Sequence, residues 1–212
     1  MKKHLSRLST DELHALLTST GEAVRQRLEG FKQILPSDYF YELVYCLLTP
    51  QSSAVNAEKA VQLLRLYGFQ HSAIDPEPLL HQREFYIRFH KTKAKRLCAV
   101  RDQFPLISQH LSNGSPSTEL REWLVNNVKG LGWKEASHFL RNIGHRNLAI
   151  LDRHILKNLI RVGVIQRLPK TLTARRYLAI EKKFLKFSQQ IGISMDELDL
   201  LFWSMETGKI LK

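Results

Sequence analysis

Apolar residues recur at helical spacing along almost the whole chain, and turn residues punctuate them. After Ser9-Thr10-Asp11-Glu12, the positions Leu13, Leu16, Leu17, Val24, Leu28 and Phe31 fall on one face. This predicts an amphipathic helix to about Ile34, opened by a Ser9–Glu12 capping box and ended by Pro36. The next run, YFYELVYCLL, is apolar nearly all round and reads as a central core helix buried on every side. A polar turn, Thr49-Pro50-Gln51-Ser52-Ser53, leads into the helix AVNAEKAVQLLRLYG, which Gly68 closes as the C′ residue. Residues 69–86 hold two prolines and mixed polarity, the pattern of a connection with one short helix. Asn113 to Ser117 is a loop, with Ser117 as candidate N-cap. Two amphipathic segments follow, TELREWLVNNV and WKEASHFLRNI, then RHILKNLIRVG, stopping at Gly163, and TARRYLAIEKKFLKFSQQIG, ending at Gly192. A second capping box, Ser194 to Glu197, opens LDLLFWSMET, which Gly208 closes. With no clear alternation of period two and no repeat, the expected fold is all-α.

Charge narrows the choice of partner. Among 212 residues, Lys and Arg number 32 against 20 Asp and Glu, a formal net charge of +12 that favours a polyanion through phosphate neutralisation. At 43% hydrophobic, the chain can bury a sizeable core. Cys46 and Cys98 stand alone in apolar segments and read as buried thiols. No H-x-x-x-H pair occurs among the histidines, so neither a metal nor another cofactor is expected. The N-terminus lacks an apolar signal core, and no stretch approaches the ~20 apolar residues of a membrane span. A soluble, intracellular protein with no membrane association is expected.

The candidate chemistry lies between Lys129 and His154. Lys129-Gly130-Leu131-Gly132 is a tight turn between two helices, a helix-hairpin-helix over about 118–143. Glycines reach positive φ and let a phosphate approach the N–H groups at the second helix's start. Lys134 falls in that helix's first turn, where the macrodipole disfavours an additional positive charge. Asp152 follows the apolar Leu148-Ala149-Ile150-Leu151 and is placed to cap the next helix. Taken singly, Lys134 is an ordinary solvated lysine and Asp152 an ordinary cap. Residues 87–96, IRFHKTKAKR, form the densest basic stretch. It is either a solvated helix face, or Arg88 and Phe89 fill the gap left by an extruded base while cations hold the flanking phosphates.

Gly130-Leu131-Gly132-Trp133-Lys134-Glu135-Ala136 and Asp152-Arg153-His154 resemble the two halves of the signature of helix-hairpin-helix base-excision glycosylases. The fuller wording GLGWKEASHFLRNIG, with the ending LDLLFWSMETGKILK, is similar to the type 2 8-oxoguanine DNA glycosylase/AP lyase family. The resemblance implies a two-lobed all-α fold, residues 1–36 packing with 165–212 and residues 37–164 forming a central lobe, with DNA and an extruded base at the cleft. It implies Lys134 as nucleophile on the sugar C1′, a Schiff base, and β-elimination that nicks the strand, with Asp152 stabilising charge at C1′. The four-cysteine loop of the iron-sulfur branch is absent, so no cluster is expected. Lys212 is implied to read the lesion through its terminal carboxylate, and Trp203 to wall the base pocket. Lys129, Gly130 and Gly132 are implied to grip phosphate. Gln51 either offers its amide to a base edge or caps the following helix. His138 shares the face of Lys134 and either packs on the base or is a satisfied structural histidine. His154 either donates to phosphate or serves capping and packing. The expected partner is double-stranded DNA containing oxidised guanine, bound by a monomer. The rival readings are a non-enzymatic helix-hairpin-helix DNA-binding module and a glycosylase for another damaged base.

Overall fold

The structure, a computed structural model, describes residues 6–208 and Ile210. Among these the chain is helical, with an isolated antiparallel bridge between His81 and Tyr86. None of the helices among the described residues is long and apolar enough to cross a membrane.

The chain divides into two units and crosses between them twice, once after the first helix and once inside another. The first comprises the described residues up to Gln33 and those from Leu140 onward; the second is Ile34–Phe139. Residues 140–164 therefore group with the terminal helices, whereas the expected lobes put them in the centre. The physical reason is the packing of the helix Arg153–Arg161 against the last helix, Met195–Thr207.

In the first unit, α1 (Thr10–Lys32) begins with the expected capping box, Ser9 Oγ accepting from Glu12 N at 3.2 Å. Its Leu13, Val24, Leu28 and Phe31 are buried. In the second unit, α2 (Tyr39–Leu48) is buried along every residue after Tyr39, as its unbroken apolar run predicts. Against it lie α3 (Ala54–Leu66) and α4 (His90–Leu111), and Phe40 packs edge-to-face with Phe104 at 5.1 Å. Pro116, not Ser117, precedes α5 (Ser117–Asn127), and no side chain caps that helix. The helix α6 (Trp133–Asn142) carries the division between units.

Returning to the first unit, α7 (Arg153–Arg161) and α8 (Ala174–Ile191) pack on α9 (Met195–Thr207). The second capping box, Ser194 with Glu197, is present. Phe31, Leu28 and Val24 meet Leu200, and Ile210 packs onto this cluster. Arg141 makes a buried ion pair with Asp199 at 2.7 Å while its guanidinium lies 4.8 Å from the Phe31 ring centre.

Candidate active site

The hairpin is built as its glycines require, though each glycine serves a different end. Leu131 N donates to Val128 O at 3.1 Å to close the turn. Gly130 has φ +104°, and a Cβ there would stand 2.7 Å from Arg96 Cδ. It is thus held to glycine both by backbone conformation and by the close passage of α4's arginine. Gly132 is not among the positive-φ residues; a Cβ on it would come within 3.0 Å of Glu135 Oε2. Its function is room at the start of α6. The fully buried Arg121 ties the two hairpin helices together, donating to Ser137 Oγ at 3.2 Å with its guanidinium 5.0 Å from the Trp133 ring centre. Lys129 is exposed on the turn.

Lys134 stands in the first turn of α6, half-buried, with Nζ 3.2 Å from Glu135 Oε1. One turn later His138 is buried, its ring edge-to-face with Tyr45 of α2 at 5.8 Å.

Elsewhere in this unit Gln51 is exposed at φ +57°. It does not cap α3: Ser53 does, its hydroxyl accepting from Asn56 N at 3.1 Å. Phe89 precedes α4 at φ +60°, is 50% exposed, and lies 5.0 Å beneath the Arg88 guanidinium. Lys93, two positions past Lys91 in the basic run, turns inward instead of facing solvent. Only 3% exposed, it donates to Leu48 O at 2.6 Å, Pro50 O at 2.7 Å and Ser52 Oγ at 3.3 Å. Burial, aided by Arg96 and Lys134, pushes its ammonium down to about 8.

In the other unit a short non-helical segment delivers Asp152. Leu148, Ala149, Ile150 and Leu151 are all buried, and backbone groups of Ala149 and Leu151 find partners on α8. Ala149 N donates to Glu181 Oε2 at 2.8 Å, Tyr177 Oη donates to Ala149 O, and Leu151 N donates to Tyr177 Oη at 3.3 Å. Asp152 then caps α7, Oδ1 accepting from Ile155 N at 2.8 Å. Its other oxygen accepts from Trp203 Nε1 at 3.2 Å. Both carboxylate oxygens are therefore oriented by donors, the arrangement that fixes an anion in place without neutralising it. Trp203 is only half-buried and is not a core residue. His154 lies edge-on to Trp203 at 6.2 Å with Nδ1 3.3 Å from Glu206 Oε2, and Lys157 Nζ is 3.9 Å from the same oxygen. Asp152, His154 and Trp203 are thus brought together in one unit. Gln51, Arg88, Phe89, Lys129, Lys134 and His138 lie in the other. Lys212 is outside the described residues.

Sequence reasoning missed Lys93, Arg121, Tyr177, Glu181 and Glu206. Four are charged residues on helices, where periodicity assigns them to solvent, and their partners are distant along the chain.

The family model described as 8-oxoguanine DNA glycosylase matches residues 24–193. The 8-oxoguanine DNA glycosylase/AP lyase of Fusobacterium nucleatum is 40% identical, over 95% of this chain and 97% of the relative. The crystal structure of the 8-oxoguanine DNA glycosylase of Thermotoga maritima superposes with a TM-score of 0.83 at 35% identity, covering 96% of this chain and 98% of that one. The Methanocaldococcus jannaschii 8-oxoguanine glycosylase/lyase, solved in complex with 15mer DNA containing 8-oxoguanine, gives a TM-score of 0.83 at 30% identity over 96% and 99%. The hairpin, its lysine and the capping aspartate are features of a chain that belongs to the 8-oxoguanine DNA glycosylase family.

Proposed function

We propose that the protein excises 8-oxoguanine from double-stranded DNA and then nicks the resulting abasic site. The observation that carries this reading is the doubly oriented carboxylate of Asp152, held by Ile155 N and Trp203 Nε1, in a chain of this family. A base inside a duplex is shielded by stacking and pairing, so the nucleotide must first be extruded. In this reading the hairpin, through Lys129, Gly130 and Gly132, grips phosphate, while Arg88 and Phe89 occupy the vacated stack. Lys134, as a free amine, attacks C1′ as the base departs, and the ionised Asp152 stabilises the positive character that develops there. The ring-opened sugar then forms a Schiff base with Lys134. Loss of a C2′ proton from that iminium expels the 3′ phosphate and cuts the strand. Trp203 and Gln51 contribute to the base pocket, His138 supports α6 behind Lys134, and His154 lies toward the DNA. Lys212 takes part in reading the lesion, a role consistent with the seating of Ile210 on the Val24, Leu28, Phe31 and Leu200 cluster. Action on genomic DNA makes this an intracellular enzyme.

The decisive test is borohydride trapping on a duplex carrying 8-oxoguanine. The native protein forms a covalent complex; Lys134→Gln retains DNA binding and loses both base release and trapping. Unchanged trapping by that variant removes Lys134 from the chemistry, and a native protein that binds DNA without trapping reduces it to a binding module. Because Lys134→Gln also removes a cation, binding is compared at several salt concentrations.

A further inference from the structure

Three non-glycine residues have positive φ among the described residues, and two of them, Gln51 and Phe89, flank Lys93 in space. An L-residue in this conformation costs on the order of 1 kcal/mol or more, so both positions are held against their local preference. Both are also exposed.

What holds them is a single hydrogen-bonded knot. Lys93 Nζ donates to Pro50 O at 2.7 Å, fixing the peptide that leads into Gln51, and to Leu48 O at 2.6 Å at the end of α2. The third ammonium proton goes to Ser52 Oγ at 3.3 Å, and that hydroxyl also accepts from Arg88 N at 3.0 Å. The Lys93 backbone N donates to Phe89 O at 2.9 Å as the first bond of α4, a tie that any residue at 93 makes, so the side chain reaches Phe89 through Ser52 Oγ and Arg88 N. An ammonium has three donors and here all three are spent on the turn. Arg96, Lys134 and Glu135 lie within electrostatic reach of the same cation.

A buried cation is an expensive way to finish a helix. An apolar side chain of similar volume is often neutral or stabilising at such a place. The cost is explained if the geometry it imposes is used on DNA.

We propose that Lys93 is a positioning residue that sets Gln51 and Phe89 as two preformed projections against a duplex from which a nucleotide is extruded, an inference that rests on the glycosylase reading above. Lesion excision then depends on Lys93, because a paired and stacked base must be displaced. Nicking of a preformed abasic site depends on it far less, because no base is left to displace.

The experiment compares Lys93→Met and Lys93→Arg with the native protein. Single-turnover excision is measured on an 8-oxoguanine duplex, nicking and borohydride trapping on a duplex with a preformed abasic site, and thermal melting on the protein alone. Lys93→Met is expected to excise roughly tenfold to hundredfold more slowly, the equivalent of one or two charge-assisted hydrogen bonds. Its nicking stays within about twofold of native, and its melting temperature is unchanged or higher. Lys93→Arg, which keeps the charge but replaces the compact ammonium with a bulkier planar fork, recovers only part of the excision rate. Native excision by Lys93→Met overturns the proposal, as does a parallel fall of excision, nicking and melting, which marks a merely structural lysine. Should Lys93→Met fail to fold, Ser52→Ala carries the same test, since it removes the hydroxyl that joins Lys93 to Arg88. A native protein that fails to trap at all sinks the glycosylase reading itself, a result distinct from either outcome for Lys93.

Discussion

Trp203→Phe separates two functions that one indole can serve. The ring's face suits it to wall a base pocket, and phenylalanine keeps that face. Its Nε1–H donates to Asp152 Oδ2 at 3.2 Å, and phenylalanine has no such donor. Hydrogen bonds to a charged partner contribute about 1.5–3 kcal/mol, and at 3.2 Å this one belongs near the lower bound, since charge-assisted bonds usually run shorter. The expected loss is thus about 1.5 kcal/mol of carboxylate orientation, or roughly tenfold in the excision rate. Oδ1 remains fixed by Ile155 N at 2.8 Å, so α7 stays capped and the fold is kept. The assay is single-turnover release of 8-oxoguanine at saturating enzyme, with DNA affinity measured alongside. Phenylalanine should slow release about tenfold at unchanged affinity, and Trp203→Leu should additionally weaken binding to lesion DNA. Native excision by Trp203→Phe would show that the indole N–H contributes nothing to catalysis.

Three further outcomes follow from the same geometry. Asp152→Asn keeps a side-chain acceptor for Ile155 N, so melting should change by less than about 1 kcal/mol while excision falls at least a hundredfold; a collapse of melting would instead make Asp152 a structural cap. Gly130→Ala puts a Cβ at φ +104° and 2.7 Å from Arg96 Cδ, and should cost about 2 kcal/mol by chemical denaturation and weaken DNA binding; a neutral result would mean that Arg96 and the turn yield freely. For Lys93, pushed down from 10.5 to about 8, the folded state binds fewer protons than the unfolded between those values. Stability should therefore rise with pH across that window by up to about 3 kcal/mol relative to Lys93→Met, and identical pH profiles of the two proteins would contradict the burial of the charge.

The elements that carried most of the sequence argument are those whose signals are local. Ser9 with Glu12 and Ser194 with Glu197 are three residues apart, and both capping boxes form. The unbroken apolar run of α2 admits no solvent face, and it has none beyond Tyr39. Gly130 sits where the turn needs positive φ. Failures arise where a local rule had competitors. Ser117 is a good capping residue, yet the chain enters α5 through Pro116, whose extended backbone starts the helix one residue earlier. Gln51 lies close enough to α3 to cap it, but Ser53 is better placed. Lys93 and Arg121 show why half the site was illegible. A hydropathy pattern assigns cations to water, and only three-dimensional partners, Leu48 O for one and Ser137 Oγ for the other, make their burial possible. The pairing of Asp152 with Trp203 spans two helices whose contact no spacing in the sequence announces.

The stretch before Asp152 works as a ruler of fixed length. A strand in a sheet can slip by two residues and find equivalent partners, because the neighbouring ladder repeats. Residues 148–151 have no ladder: Ala149 and Leu151 are fastened to Tyr177 and Glu181, side chains that occur once. Adding or removing a single residue here cannot be absorbed by sliding, and would carry the carboxylate off its mark while leaving every helix intact. Length between Leu148 and Asp152 is therefore under tighter constraint than identity, and, with Asp152 in the proposed role, substitutions on α8, remote in sequence from the carboxylate, would act on catalysis by moving the end of the ruler.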